Sequence, residues 1–479
     1  MILFLLILPL IAGLASFLLK NENQVKINAL ITSVVVTGVS VFMLFEKTVL
    51  KFDAEWLPQL GSRFSLEADG MSKMLCLLTS LVFTLIFLYI KDQSQKSNQS
   101  FYGLMLLTQA GLIGVFLAAD MLLFYFFWEL ALIPVYFLCS KWGGERRIQI
   151  TFKFFIYTFF GSLLMLVGIL YLHSKTLDHS FAMSSFYNIP LEAYKEKEIF
   201  VLFFIAFAIK MPIFPFHTWQ PDTYETAPNA VTMVLSTLMV KMGIFAVIRW
   251  LLPMFPHAAI SFSQIIIILS VIGMIYASLI AFKQSSIKRL IAYSSIAHIG
   301  LMAAALFTSD KTAMQGVMLQ MFSHGINVLG LWMVADILER QTSTRNMYEM
   351  GGIAAKAPSL AIFMMLFAFA NIALPLTNSF VGEFMMFNGL FGYSYKIAAF
   401  AGLSIILAAV YTLYMVQKVL YGSEGTAVMA SNISDINLNT KIIFSVLVVL
   451  ILALGVYPKP LILLTNETVN SIFAIIKRS

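Results

Sequence analysis

The sequence predicts an all-α polytopic membrane protein of about 14 transmembrane helices, with two inverted five-helix repeats and two broken helices. Three observations carry this expectation. The 479 residues are 60% hydrophobic and 11% charged, with a mean hydropathy of +0.87. Apolar runs of the roughly 20 residues that a bilayer requires recur from Met1 to Leu464. Two of these runs are interrupted by proline close to an ionisable side chain.

In chain order the spans centre near residues 10, 36, 80, 110, 130, 162, 206, 240, 270, 297, 325, 372, 408 and 452. The opening run, MILFLLILPLIAGLASFLL, lacks the positively charged start of a cleavable leader and reads as a retained first helix. Spans 1 to 3 fill residues 1–98. Spans 4 to 8 form one unit over 99–255, spans 9 to 13 a second over 256–422, and the last helix with a tail occupies 423–479. An odd number of spans per unit inserts the second copy upside down relative to the first.

A net charge of +7 and a pI near 9.1 would suit a nucleic-acid binder, but the basic residues lie in alternate short loops, not in one patch. Lys20, Lys26, Lys91, Lys96, Lys141, Arg146, Arg147, Lys283, Lys288, Arg289, Arg340, Arg345 and Lys356 share one set of loops. The positive-inside rule makes that set cytoplasmic and leaves both termini outside. The opposite loops, such as KTVLKFDAEW and EAYKEKE, are mixed in sign. The expected surroundings are therefore a lipid bilayer, with no nucleic-acid partner.

Cys76 and Cys139 both fall within apolar spans and read as packing residues. The sequence has no Walker loop, dinucleotide fingerprint or HExxH motif, and its histidines lack metal-ligand spacing, so neither a metal nor a cofactor is expected on this chain.

A charged side chain at the centre of a span costs about 2.5 to 3.5 kcal/mol on insertion scales, so each one that is retained asks for a function. Glu129 sits mid-span in MLLFYFFWELALIPVYFL, with Tyr125 and Tyr136 on its helical face and Pro134 loosening the helix. In IKMPIFPFHTWQPD, Pro212 and Pro215 cannot donate hydrogen bonds, which frees the carbonyls of Ala208 and Met211 and breaks the helix beside Lys210. Such backbone survives at membrane depth only when it is buried in protein or lines a wet cavity. Lys241 occupies the centre of the next span, one turn after Thr237. Burial penalises its charge and a nearby carboxylate favours it; an amine poised between these effects can load and release a proton.

His298 follows Ser294 and Ser295, and His324 precedes Asn327, each by about one helical turn. In NIALPLTNSFVGEFMMFNG, Pro375 makes the second break and Glu383 follows it. The two interrupted helices lie five spans apart, the pattern of inverted repeats in transporters. Glu129, Lys210 and Lys241 would line the first half of a lateral proton wire, with His298, His324 and Glu383 in the second. The plainer readings are buried ion pairing, snorkelling lysines and core histidines.

The segments FFWELALIPVYFL, KMPIFPFHTWQPDTYETAP, LMVKMG, IAYSSIAHIG, SHG and FVGEF, in this order from span 3 to span 13, resemble the antiporter-like membrane subunits of respiratory complex I. The resemblance implies a fold of 14 helices with two inverted repeats, in the bacterial cytoplasmic membrane. It also implies proton translocation driven by quinone reduction in other subunits, with neighbouring antiporter-like subunits as partners. By resemblance Glu129 matches the family's span-5 glutamate, Lys210 its span-7 lysine and Lys241 its span-8 lysine. His298, His324 and Glu383 match the rest of its central hydrophilic axis, Glu383 standing where several relatives have lysine. Two departures are APNAVTM, which lacks a common Gly-Ser pair, and Leu376, where a glycine is usual. Alternative readings are a subunit of an Mrp-type cation/proton antiporter or membrane-bound hydrogenase, and a structural spacer whose charges clamp neighbouring subunits.

Overall fold

The computed structural model describes residues 1–91, 93 and 98–476; Lys96, among the basic loop residues named above, lies outside them. Eleven helices among the described residues are long and apolar enough to cross a membrane, from Glu22–Met43 to Leu438–Val456. With the short apolar helix Ile2–Ser16 and two interrupted helices over 193–226 and 358–393, they are consistent with the fourteen passes expected. Every expected centre falls in a helix except 372, which lies in the second break.

The core is organised by two helices, Asn229–Met254 and Lys311–Thr342, whose membrane-length windows are entirely buried. A helix apolar around its whole circumference needs protein on every side. The outer helices instead expose large side chains such as Phe152, Phe160, Ile406 and Val449, a surface suited to acyl chains. Acidic N-caps start several helices: Asp69 accepts from Ser72 N, Asp120 from Leu123 N and Asp310 from Ala313 N, each occupying an orphan amide.

Two features depart from the sequence reading. KTVLKFDAEW is not a loop: Leu50–Leu57 and Ser62–Ala68 pair as an antiparallel hairpin, so the fold is not purely helical. The alternation in LKFDAEWL has the period of two that a half-buried strand shows, and its burial alternates likewise. Gly61 closes the turn at φ 73°, and a Cβ there would stand 1.9 Å from the carbonyl of His179. The expected tail also contains an 18-residue helix, Lys459–Ile476. Its buried residues Leu461, Thr465, Thr468, Val469, Ile472 and Phe473 form one stripe, docked through Gln315 and Lys311 to the start of the Lys311–Thr342 helix.

The two breaks share backbone bonds at matching positions and differ in the side chain that closes them. In the first, Met211 N bonds Phe207 O, Ile213 N bonds Ala208 O at 3.2 Å, and the Trp219 indole donates to Ile209 O at 3.0 Å. In the second, Ile372 N bonds Ala368 O, Leu374 N bonds Phe369 O at 3.0 Å, and Asn327 Nδ2 donates to Ala370 O at 3.2 Å. The carbonyls of Ala208, Ile209, Phe369 and Ala370 are thus satisfied within the protein, as membrane depth requires. Besides Ala208, whose carbonyl accepts from Ile213 N past Pro212, Ile209 is released to the Trp219 indole. Ala373 and Leu376 adopt φ 54° and 76°, the left-handed region where glycine is common.

Gly455 packs directly on this second break: a Cβ there would lie 2.1 Å from Leu376 O. Gly455→Ala should therefore destabilise the protein by about 1 to 3 kcal/mol of overpacking, read as a lower thermal midpoint in detergent. No loss would mean that the break yields freely.

Asp435 anchors the outer end of the second broken helix by accepting from Ser359 N and Leu360 N, each at 3.1 Å. Burial pushes its carboxyl up, but hydrogen bonds from Ser359, Ile436 and Leu360 outweigh this and hold its pKa below the ordinary value. A carboxylate depressed in this way adds stability above its unfolded pKa and loses it as pH falls through the folded one. Asp435→Ala should cost about 1 kcal/mol at pH 7, the usual worth of a cap, and the difference from wild type should shrink as pH falls towards about 3. Thermal melts at both pH values check this; an undiminished gap at low pH would contradict it.

Candidate functional site

Lys241 lies in the buried helix Asn229–Met254 directly after a π-helical segment, Leu235–Met239. Such one-turn widenings of the ladder are frequent at functional sites. The Lys241 amine is fully buried and donates to Ser236 O at 3.0 Å and to His324 Nδ1 at 2.8 Å. The rings of His324 and His298 are 5.6 Å apart, edge to face. His298 Nδ1 then meets Glu383 Oε1 at 3.1 Å, and Gln320 Nε2 donates to the same oxygen at 3.1 Å. Four of the six expected residues thus form one continuous file inside the protein.

Amides and hydroxyls hold this file in place. Asn327 Nδ2 donates to Ser379 Oγ at 2.8 Å. Asn371 Nδ2 reaches Ser294 Oγ at 3.1 Å and Thr412 Oγ1 at 3.2 Å, and the Tyr411 hydroxyl donates to Ser294 Oγ at 3.0 Å. Sequence reasoning placed Ser294 and Asn327 beside the histidines but had no means of finding Gln320, Thr412 or Tyr411, whose partners are remote in sequence.

Glu129 and Lys210 form a second cluster. Lys210 is the last residue before the first break, 2% exposed, and its amine sits over the Trp128 ring at 5.4 Å with no hydrogen bond to protein. Glu129 is half-buried at the flank of the bundle, with the Ser162 hydroxyl as its hydrogen-bonding neighbour, not enclosed in the interior as its mid-span position suggested. The Met121–Trp142 helix continues through Pro134. Lys210 is not the positional counterpart of Glu383: matching the backbone bonds at the two breaks sets Lys210 against Asn371, whereas Glu383 lies after its break.

A third group, on the lysine- and arginine-rich side, was absent from the sequence reading. Lys288 pairs with Glu339, and its amine reaches Asn229 Oδ1 at 2.5 Å. The Asn229 amide donates to Asp336, which also accepts from the Tyr89 hydroxyl at 2.5 Å; Arg345 closes on Glu339. These residues border a cavity of about 430 Å³. Lys288, read from the sequence as a loop cation, is 1% exposed, and only folding reveals this. On the opposite side Arg249 and Asp69 make a buried pair at 2.7 Å. Among the described residues no group of three or more His, Cys, Asp or Glu has an arrangement that could hold a metal ion.

Residues 118–409 match the family model described as NADH:quinone oxidoreductase/Mrp antiporter, TM. The chain is 36% identical over 431 residues to NADH-quinone oxidoreductase subunit M of Escherichia coli K12, covering 88% of this chain and 85% of that one. It is 34% identical over 481 residues to the Rickettsia typhi subunit M, covering 97% of each. Among solved structures, a chain of the respiratory complex I from Thermus thermophilus with bound NADH superposes with a TM-score of 0.91 at 27% identity, over 99% of this chain and all of that one. The fold is also that of a chain in the Mrp complex from Dietzia, with a TM-score of 0.88 at 18% identity, covering 98% and 97%. The chain belongs to the NADH:quinone oxidoreductase/Mrp antiporter transmembrane family and groups within it with the NADH-quinone oxidoreductase subunit M proteins.

Proposed function

We propose that the chain is a proton-carrying membrane subunit of a respiratory NADH:quinone oxidoreductase, driven by quinone reduction in other subunits. The observation that carries this reading is the file Lys241, His324, His298 and Glu383, buried and linked at 2.8 and 3.1 Å at its ends. Such groups in a membrane interior are costly, and proton relays are the use that repays them. Lys210 and Glu129 extend the relay to the flank of the bundle, where the half-buried carboxylate is placed to meet a neighbouring antiporter-like subunit.

The repeats 99–255 and 256–422 supply one break each; shared backbone bonds at the breaks support the repetition, and the odd number of spans in each unit is the basis for inversion. The lysine- and arginine-rich side is cytoplasmic on the positive-inside rule, which leaves both termini on the outer side of a bacterial cytoplasmic membrane. The chain carries protons and has no redox chemistry of its own in this reading.

The test is to tag the chain, extract it in mild detergent and assay NADH:quinone activity in the purified material. Co-purification with flavin and iron-sulfur subunits is the expected result. Their absence, with other antiporter-type subunits in their place and sodium-dependent transport in vesicles, would favour an Mrp-type complex instead.

A further inference from the structure

On the lysine- and arginine-rich side, the loop before the second broken helix meets the end of the Tyr395–Leu420 helix. Two lysines there lack a counter-charge. Lys418 lies over the rings of Tyr348 and Tyr414, 5.7 and 5.4 Å from their centroids, and the two tyrosine hydroxyls bond each other at 3.3 Å. Lys283, exposed just after the Pro256–Phe282 helix, is near enough to act electrostatically on the same Tyr348 hydroxyl. Among the described residues neither amine has an acid or hydrogen-bond partner. The acids of these loops are already held: Glu424 pairs with Lys356 at 2.8 Å, and Glu349 accepts from the Thr344 hydroxyl at 2.7 Å and the Asn346 amide at 2.9 Å.

Two cavities of opposite character share a wall at this point. The polar one, of about 300 Å³, is lined by Lys418, Gln417, Tyr348, Gly422 and Ser423. The apolar one, of about 360 Å³, is a groove along Pro358, Ala361, Ile362, Met365 and Leu366 of the second broken helix. Tyr421, 51% exposed, stands in the wall of both. The two loops around the polar cavity are tied together: Gly352 N bonds Tyr421 O at 3.4 Å, and Lys356, besides its pair with Glu424, reaches Val428 O at 3.4 Å. From Pro358 to Leu366 the helix advances about 12 Å, most of the roughly 15 Å of hydrocarbon in one leaflet.

We propose that these paired cavities bind one anionic phospholipid, with its phosphate headgroup in the polar cavity at Lys418 and an acyl chain in the groove on the Pro358–Asn371 helix. Charge decides the headgroup. Two amines without counter-charge attract a lipid of net negative charge, whereas a zwitterionic headgroup brings a cation of its own to the same place. Tyrosine rings with a polar tip suit the headgroup level, where Tyr348, Tyr414 and Tyr421 lie. Shape decides between a lipid and a soluble anion, because a free phosphate fills only the polar cavity and leaves the groove open. A lipid seated there braces the half-helix whose inner end, Asn371, bonds Ser294 and Thr412.

The test uses the tagged chain, purified with its partner subunits, in phosphatidylcholine nanodiscs that contain a phosphatidylglycerol with a diazirine in its acyl chain. Adducts are mapped by peptide mass spectrometry after illumination. They are expected on Ile362, Met365 or Leu366, and unlabelled phosphatidylglycerol should compete for them where added phosphatidylcholine or inorganic phosphate does not. Lys418→Gln and Lys283→Gln should each lower the yield about fivefold, and Lys418→Arg should retain it. Ile362→Trp, which fills the groove with both lysines in place, should abolish the adducts on Met365 and Leu366; Ile362 is 61% exposed, so the core is undisturbed. Equal labelling by a phosphatidylcholine that carries the same diazirine would mean ordinary boundary lipid. Displacement by inorganic phosphate at matched ionic strength would mean an anion pocket only. A groove that takes no adduct from either lipid, while exposed Ile406 does, would be covered by a neighbouring subunit. Each of these three results overturns the proposal, as does an unchanged yield when both lysines are replaced by glutamine.

Discussion

Lys241→Met should reduce NADH-driven proton uptake by about tenfold or more while leaving the chain assembled, because the proposed relay loses a proton carrier at a site where methionine fits. The side chain is wholly enclosed, so no bulk water can stand in for the missing amine. Its removal breaks the 2.8 Å link to His324 and the 3.0 Å bond to Ser236 O together. Lys241→Arg separates relay from scaffold. Guanidinium keeps the charge and the donors but does not release its proton, so a relay fails with arginine and a clamp is restored by it. Proton uptake in inverted vesicles, normalised to the complex detected by its tag, is the measurement. Normal uptake with Lys241→Met would remove the central premise.

Glu129→Gln should have an effect of similar size, about tenfold on coupled proton uptake, for a different reason. Glutamine keeps the shape and can still bond Ser162, so packing of the Met121–Trp142 helix is retained and only ionisation is lost. The carboxylate shares its neighbourhood with Lys210, whose amine rests over Trp128 without a protein hydrogen bond. Loss of the negative charge leaves that amine without its nearby counter-charge. Glu129→Asp, a carboxylate one methylene shorter, should retain part of the activity. If Glu129→Gln lowers the amount of assembled complex while the complex that does form pumps normally, Glu129 is an assembly clamp facing a neighbouring subunit, the role its half-buried position also permits.

The sequence alone determined the class of the protein and the candidate members of the proposed relay. Long apolar runs identify spans because hydrocarbon leaves a backbone no alternative to the helix, and charges inside those runs stand out because each is expensive to keep there. Glu129, Lys210, Lys241, His298, His324 and Glu383 were legible for that reason, as were both breaks from Pro212, Pro215 and Pro375. The alternation in LKFDAEWL and the stripe in the terminal helix were also written in the sequence; there the apolar background masked the weaker period. What only the tertiary structure decided is who meets whom. The link from Lys241 to His324 joins helices 83 positions apart, and the cluster on the lysine- and arginine-rich side joins Asn229 to Asp336 across 107. Periodicity places a residue on a face of its own helix, but not opposite a chosen residue of another. Lys288 looked like a loop cation, and Glu129 like an interior acid, until packing set the depth of one and the exposure of the other, because burial depends on neighbouring helices that lie far away along the chain.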